Sequence, residues 1–333
     1  MNYEKFKVGF YSQKNGFKKK INKLSIKQKG ELLLSATEDK DLKLIKYLVE
    51  DLGTPIGYAN KNGTNSLMVL AQNIYARNDL FKIDRDLDYK IAKYFLERMT
   101  DDEINAQDKR GFTYAQGLYP YSFPLLNAFN ANIQKISQVS ALMYLCAHLC
   151  NQIEIELENP YIENGVYRKY ETIIDTRVVD LIYLFRAYGA QTDLKDSNGL
   201  DCLKYAIAFN NLDAAKSCTA FIKPFKNIIS IPADVNAQDN YGNTSYHHAC
   251  SRHKVEGFLE LLEDNGADPN ILNNNSQTPV DVSSPVWAHD HVKEYAKAFN
   301  EKLLAANGQQ STENDEHPEF KLYLLSPTKE IEK

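Results

Sequence analysis

The 333-residue chain lacks the sequence features that indicate a membrane protein or a common type of enzyme. No apolar run approaches the ~20 residues that a transmembrane helix needs, and residues 1–17 contain no apolar core of the secretory kind. There is no Gly-x-x-x-x-Gly-Lys phosphate loop, no Gly-x-Gly-x-x-Gly turn, no His-Glu-x-x-His pair and no Gly-x-Ser-x-Gly elbow. These absences favour a cytoplasmic protein that is not an enzyme.

The chain also lacks a surplus of positive charge and an even set of cysteines. Its net charge is −5 at pH 7, so no overall attraction to nucleic acid is expected. An odd number of cysteines spread through predicted helices is typical of reduced thiols in the cytosol. These residues are Cys146, Cys150, Cys202, Cys218 and Cys250.

What the chain does contain is an internal repeat. Residues 104–113 have the sequence INAQDKRGFT, which returns at residues 235–244 as VNAQDNYGNT. Each copy carries a glycine suited to a tight hairpin turn and then a threonine, Thr113 or Thr244, that can cap a helix. Repetition over tens of residues predicts small units that stack in a row, because no single unit buries enough surface alone.

Predicted helices follow the hairpin signals. Apolar residues recur at three- and four-residue spacing in residues 42–49 and 91–96, which predicts one-sided amphipathic helices. Equivalent positions of the predicted inner helices carry a small residue that lets neighbouring helices approach closely. These positions are Ala36, Ala206 and Ala249.

Together these residues resemble the ankyrin repeat, whose pattern is Asp-x-x-Gly-x-Thr-Pro-Leu-His-x-Ala, an apolar helix and a closing Gly-Ala-Asp-x-Asn. The fullest match is residues 239–270, with Gly242, Thr244 and His247 in place and Ser245-Tyr246 where the pattern has Pro-Leu. The resemblance implies an all-α fold, an ankyrin-repeat solenoid of helix-turn-helix units with short β-hairpin loops and insertions between units. About five or six degenerate units are expected.

The predicted array spans residues 30–306, between a basic cap at 1–29 and an acidic, loosely ordered tail at 307–333. Irregular spacing of the hairpin glycines predicts insertions near 73–90, 119–170 and 223–233. The largest insertion is expected to hold an extra helix at 133–150 and then a polar loop with Asn159-Pro160 and Asn164-Gly165. The inner helix that pairs with the predicted outer helix at 178–185 is either 123–129 or 140–150.

The resemblance implies that a protein partner binds across the hairpin tips and the concave face of the inner helices. Arg110 and Tyr241 are the strongest candidates, since arginine and aromatic residues dominate interface energetics. For the asparagines, turn formation is the competing explanation. The full set of predicted partner-binding residues is Asn60, Lys61, Lys109, Arg110, Ser197, Asn198, Asn240, Tyr241, Ser251, Arg252, Asn274 and Asn275.

No catalytic, cofactor or metal site is predicted. His247, His248, Cys250 and His253 lie together, but the repeat accounts for them, and zinc ligands usually arrive from two segments. Cys146 and Cys150 share a predicted helix face among leucines, which favours core thiols; a cysteine nucleophile would need a base from elsewhere in the fold.

The predicted function is a non-catalytic scaffold or adaptor without a cofactor. Three alternatives stay open: an enzyme module within 119–175, a self-assembling module, and phosphate or nucleic-acid contact through the lysines of residues 18–29. Near the carboxyl end, the acidic block 313–316 precedes apolar residues. This pattern resembles type IV secretion signals of intracellular bacteria, which implies an effector that is secreted into the host cytoplasm and binds a host protein.

Overall fold

The computed structural model describes residues 2–12, 21, 23–74, 85–109, 138–147, 152–163, 166–174, 177–223, 231–251, 256–283 and 286–309. These residues form helix pairs stacked in a row, which confirms the predicted solenoid. The inner helices are α2 (Ile26–Glu38), α4 (Ser66–Gln72), α7 (Ala141–Cys146), α9 (Cys202–Ala208) and α11 (Ser245–Cys250). The outer helices are α3 (Leu42–Lys46, continued by a π-helical turn to Asp51), α5 (Arg85–Leu96), α8 (Arg177–Ala187), α10 (Leu212–Thr219) and α12 (Glu256–Asp264). A four-residue helix, α6 (Asp101–Ile104), follows α5.

The four inner helices after α2 begin in the same way. A side-chain oxygen of the residue before each helix accepts a hydrogen bond from the amide of the third helical residue. Such a cap is worth about 1 kcal/mol, because it pairs a donor that the helix leaves unused. The capping residues are Asn65, Ser140, Asp201 and Thr244.

The helices stack in two parallel rows. In the inner row α4 packs between α2 and α7, and α9 packs between α7 and α11; in the outer row α8 packs between α5 and α10. Ala36, Ala206 and Ala249 are completely buried in the inner row, as predicted. One continuous hydrophobic core therefore runs along the array.

The third unit settles which of two helices is the inner one. Helix α7 packs against α4, α8 and α9, so the candidate at 140–150 is the inner helix and not 123–129. Its hairpin begins at Asp108, whose amide donates to the carbonyl of Val139 at 3.1 Å. The cap Ser140 follows Asp108 by 32 residues, whereas Thr244 follows Asp239 by five. The long insertion therefore opens inside the hairpin, and Thr113, predicted to cap a helix, lies outside the described residues.

A second insertion in this unit is a β-ribbon. The polar loop predicted at Asn159-Pro160 was wrong, because these residues lie in a strand, whereas Asn164-Gly165 lies outside the described residues. Strands β1 (Gln152–Glu163) and β2 (Val166–Ile174) pair antiparallel, with Gln152 opposite Ile174 and an irregularity between Glu156 and Tyr161. The alternation of apolar and polar residues in QIEIEL favours an extended strand over a loop. The ribbon stands between α7 and α8, where the fourth unit has a short turn.

The two ends of the array differ. Helix α1 (Tyr3–Ser12) packs on α2, where Tyr3 donates to Asp39 at 2.9 Å and Tyr11 donates to Asp41 at 2.8 Å. The boundary predicted at residue 29 lies inside α2, and the lysines at 18–20 lie outside the described residues. At the other end α13 (Val286–Gln309) is the last outer helix, and residues 310–333 lie outside the description.

Residues 278–283 occupy the place of the last inner helix, but they form turns rather than a helix. Among the described helices, none is both long enough and apolar enough to cross a bilayer.

Candidate functional site

Each hairpin tip is built on one side-chain oxygen. In four units Oδ1 of the first turn residue accepts hydrogen bonds from the amides two and four residues later, at 2.8 to 3.2 Å. The fourth turn residue then has a positive φ, which favours glycine: Gly199 has 81° and Gly242 has 78°. The four turn residues are Asn60, Asp196, Asp239 and Asn273. Asn60, predicted to bind a partner, therefore forms the turn.

Three pairs of neighbouring tips are joined by main-chain hydrogen bonds. The amide of Lys109 donates to the carbonyl of Asn62 at 2.6 Å, that of Asn240 to Asn198 at 3.0 Å, and that of Asn274 to Tyr241 at 2.9 Å. We call this edge of the array the tip ridge; its residues are 60–62, 109, 197–198, 240–241 and 274–275.

Two predicted contact residues brace the tip ridge with their side chains. The side-chain amide of Asn240 donates to the carbonyl of Ser197 at 2.9 Å, and that of Asn274 donates to the carbonyl of Asn240 at 3.0 Å. These bonds run from each tip to the one before it, so the two asparagines help to hold the spacing of the units.

A second ladder of side chains runs beside the tip ridge, and the sequence prediction missed it. Gln107 donates to the carbonyl of Lys195 at 2.9 Å, Lys195 to that of Gln238 at 2.7 Å, and Gln238 to that of Leu272 at 3.0 Å. Each of these side chains belongs to the residue immediately before the first turn residue. The Ala-Gln-Asp sequence shared by the two repeats at 104–113 and 235–244 was the signal that could have revealed the ladder.

The predicted contact residues differ in exposure. Ser197, Asn198 and Tyr241 are half-buried, as is Asn60. Arg110 and Arg252 lie outside the described residues. The exposed members are Lys61, Lys109, Asn240, Asn274 and Asn275. The tip ridge thus offers amide groups along its length and two ammonium groups toward its amino-terminal end.

Ser251 does not belong to this surface, which corrects the prediction for that residue. It is only 8% exposed, and its hydroxyl donates to the carbonyl of His248 at 3.0 Å. A side chain with so little surface and a satisfied hydroxyl offers almost nothing to a partner.

The concave face is also closed where the prediction expected it to be open. Every residue of α7 and α11, and all of α9 except Ala208, is buried. Lys204 in α9 is completely buried, and its ammonium pairs with the cap Asp201 at 2.5 Å. These three inner helices therefore offer almost no accessible surface to a partner.

The histidines of the best-matching unit are held in structural hydrogen bonds. His247 contacts Thr244 and the carbonyl of Gln277, the latter at 3.0 Å. His248 pairs with Asp239 at 2.7 Å, and this bond helps to lower the pKa of Asp239 against the opposing effect of burial. His253, also considered as a metal ligand, lies outside the described residues.

The thiol considered for catalysis is deep in the core. Cys146 is completely buried, and burial raises its pKa well above the ordinary value, which disfavours the reactive thiolate. Cys150 lies outside the described residues. Cys146 instead lies beside Cys202 and Cys218, a grouping that the sequence did not reveal.

Residues 229–283 match the family described as ankyrin repeats (many copies). This segment consists of ankyrin repeats. The ankyrin-repeat fold generally serves protein–protein interaction.

The curated relatives match only a short segment of the chain. Over 52 residues it is 46% identical to oxysterol-binding protein-related protein 1 of Homo sapiens, which covers 16% of this chain and 5% of that protein. Over 51 residues it is 49% identical to the putative ankyrin repeat protein FPV219 of Fowlpox virus (strain NVSL), covering 15% of this chain and 12% of the relative. The chain therefore matches only a small part of either relative's length.

Two solved structures are similar to this chain over about four fifths of its length. The crystal structure of EF0377, an ankyrin repeat protein, has a TM-score of 0.47 at 17% identity and covers 80% of this chain and 94% of its own. A chain of the complex between the Bd0816 predatory endopeptidase from Bdellovibrio bacteriovorus and the immunity protein Bd3460 has a TM-score of 0.44 at 16% identity, covering 81% and 97%.

Proposed function

We propose that the chain is a non-catalytic scaffold that binds another protein through the tip ridge. The observation that carries this proposal is the set of hydrogen bonds that join one tip to the next. Because these bonds fix the turns before a partner arrives, little ordering entropy is lost on binding. The exposed side chains on this edge are therefore presented in a preformed row.

The chemistry of the tip ridge suits a polar partner surface that carries negative charge. Amide groups line the ridge, and Lys61 and Lys109 add exposed positive charge toward one end. We therefore expect carboxylates of the partner to lie opposite these lysines. Such contacts at the rim of an interface weaken with added salt, because exposed charges are screened.

Site-specific cross-linking tests where the partner binds. A photoreactive residue is placed singly at Lys61, Lys109 or Asn275 on the tip ridge, and at Lys216 or Glu260 on outer helices as exposed controls. The partner, recovered with the full-length chain, is expected to cross-link from the three tip positions only. Cross-links confined to the outer helices or to the ribbon would show that the ridge is not the binding surface.

A matched pair of charge reversals measures the contribution of one tip. Lys109→Glu is expected to weaken partner binding by about tenfold or more, the effect of losing roughly 1.4 kcal/mol. Lys216→Glu on α10 should leave the affinity unchanged. Far-ultraviolet circular dichroism verifies that both variants keep the helical fold. Equal affinity of the two variants would remove Lys109 from the interface.

We also propose that the protein is a secreted effector that acts on a host protein in the host cytoplasm. The support is the acidic block at 313–316 with its trailing apolar residues, together with a fold suited to occupying another protein. Translocation into host cells is compared for the whole chain and a chain without residues 310–333, which keeps every described helix. Undiminished translocation of the shortened chain would contradict the role of this segment.

A further inference from the structure

Three thiols meet in the core where the third and fourth units stack. Cys146 ends α7, Cys202 begins α9, and Cys218 lies in α10. At most 1% of each residue is exposed. The three sulfur atoms all lie within 4.8 Å of one another, and Sγ of Cys146 is 3.5 Å from Sγ of Cys218. Stacking of the helices brings them together from distant parts of the sequence.

The spacing of the sulfur atoms matches thiolates around one metal ion. With metal–sulfur bonds of about 2.3 Å, sulfurs are about 3.8 Å apart in a tetrahedral site and about 4.0 Å apart in a trigonal one. The separations found here, from 3.5 Å to at most 4.8 Å, include both values. Small side-chain rotations would therefore bring all three sulfurs to bonding distance.

A buried cation supplies the opposite charge that such a site requires. Arg186 in α8 is completely buried, and its guanidinium interacts electrostatically with all three thiols. Its terminal nitrogens donate to the carbonyls of Ser217 and Ile231, whereas Nε has no hydrogen-bond partner among the described residues. Three thiolates and one divalent ion carry a single net negative charge, which Arg186 neutralises, and an uncompensated buried charge is costly.

We propose that Cys146, Cys202 and Cys218 form a three-thiolate site for a thiophilic divalent metal ion of the zinc group, with Arg186 as its counter-charge. Binding forms three metal–sulfur bonds and releases three thiol protons to solvent. The carbonyl oxygen of Thr192, 3.4 Å from Sγ of Cys202, is an oxygen atom in contact with the cluster. The ion links α7, α9 and α10, and so joins the third unit to the fourth.

The competing explanation is that cysteines merely fill small spaces in the core, and the chain offers a control for it. Cys250 ends α11 as Cys146 ends α7, six residues after the capping residue in both helices. It is completely buried as well, but it is not a member of the cluster. A property that depends on the cluster is therefore expected to be lost with Cys218 and kept without Cys250.

Cadmium titration of the full-length, reduced and metal-free chain tests the site. The thiolate-to-cadmium absorption in the ultraviolet is expected to saturate at one equivalent, and X-ray absorption at the cadmium edge should count three sulfur neighbours. Cys218→Ser should abolish saturation at one equivalent, and Cys250→Ser should leave it unchanged. Zinc should raise the Tm of the wild type and of Cys250→Ser, but not that of Cys218→Ser.

Alkylation of the wild type with and without cadmium tests the site independently if Cys218→Ser fails to fold. Bound cadmium should protect Cys146, Cys202 and Cys218 from a thiol reagent in partly unfolded protein, while the labelling of Cys250 stays as it is without metal. No stoichiometric absorption, fewer than three sulfur neighbours, or protection of a different set of cysteines would overturn the proposal. These outcomes are independent of partner binding at the tip ridge.

Discussion

At the scale of the residue, His247 contacts both the helix cap Thr244 of its own unit and the carbonyl of Gln277 in the next unit. Its Nδ1 accepts from the hydroxyl and the amide of Thr244 at 2.9 and 3.2 Å, so its Nε2 carries the proton that is donated to the carbonyl of Gln277 at 3.0 Å. Burial lowers the pKa of His247, against weaker raising effects from Gln277 and two aspartates, Asp239 and Asp281. A protonated ring would also turn a second N–H toward the amide of Thr244.

The lowered pKa of His247 predicts a loss of stability in mild acid. Below the ordinary pKa of 6.5, the unfolded chain binds a proton that the folded chain resists, so the free energy of unfolding falls as pH falls. His247→Gln should remove this part of the pH dependence, because Gln28 already completes such a capping box with Ser25 in α2. Urea unfolding between pH 5 and 8 measures it. An identical pH profile in the variant would refute this origin.

His248 shows how one hydrogen bond recurs with different residues. In three units the fourth residue after the cap of the inner helix donates to the buried turn aspartate. The pairs are Tyr144–Asp108 at 2.6 Å, Tyr205–Asp196 at 2.9 Å and His248–Asp239 at 2.7 Å.

Two substitutions separate this hydrogen bond from ring packing. His248→Tyr should keep the bond to Asp239 and change the free energy of unfolding by less than about 1 kcal/mol. His248→Phe should cost about 1–3 kcal/mol, because it leaves a buried carboxylate oxygen without its donor. Thermal unfolding of the two variants is the measurement, and equal Tm values would show that the bond contributes nothing.

At the scale of the element, the ribbon is an addition to a unit that is complete without it. Helices α7 and α8 pack on each other and on both neighbouring units, as the uninterrupted pair α9 and α10 does. The fourth unit connects its helices through Asn210, which has a φ of 57°, and the cap Asn211. The first unit uses Lys40 and Asp41 in the same way.

The third unit is therefore expected to accept a short turn in place of its ribbon. Residues 149–175 are replaced by a single asparagine, after which Thr176 directly precedes Arg177, the first residue of α8. The shortened chain should keep the circular dichroism of its helices and unfold cooperatively, since closing a shorter loop costs less entropy. A chain that no longer folds would show that the strands are part of the core.

At the scale of the whole molecule, stability depends on the contact of each unit with its neighbours. Unfolding of such an array is governed by the stability of each unit and of each interface. Leu203 is completely buried in the inner helix of the fourth unit, whereas Leu303 in α13 is 45% exposed. The first residue lies at an interior interface of the row and the second at its end.

Leu203→Ala is expected to destabilise the protein by about 2–5 kcal/mol and to uncouple the two halves of the array. The only tryptophan, Trp287, lies in α13, so its fluorescence reports on the carboxyl end while circular dichroism reports on all helices. In urea the two signals should separate in Leu203→Ala and coincide in the wild type and in Leu303→Ala. Coincident curves in all three proteins would indicate a single cooperative unit.

The sequence by itself determined the repeated unit, because its signals are local. Turn residues, capping oxygens and apolar spacing act within a few residues. The sequence repeated at 104–113 and 235–244 indicated the hairpins directly. The tip positions followed from that register. They remain predicted contacts, whereas Ser251 proved to be buried because local register carries no information on what covers a helix.

Only the tertiary structure decided which residues of different units meet. Stacking selected Ser140 rather than Thr113 as the cap of the third unit, joined the tips into a ridge, and closed the inner helices. It also brought Cys146, Cys202 and Cys218 together beside Arg186. These contacts depend on the distance and angle between neighbouring helix pairs, which are set by packing across the whole core and not by any short stretch of sequence.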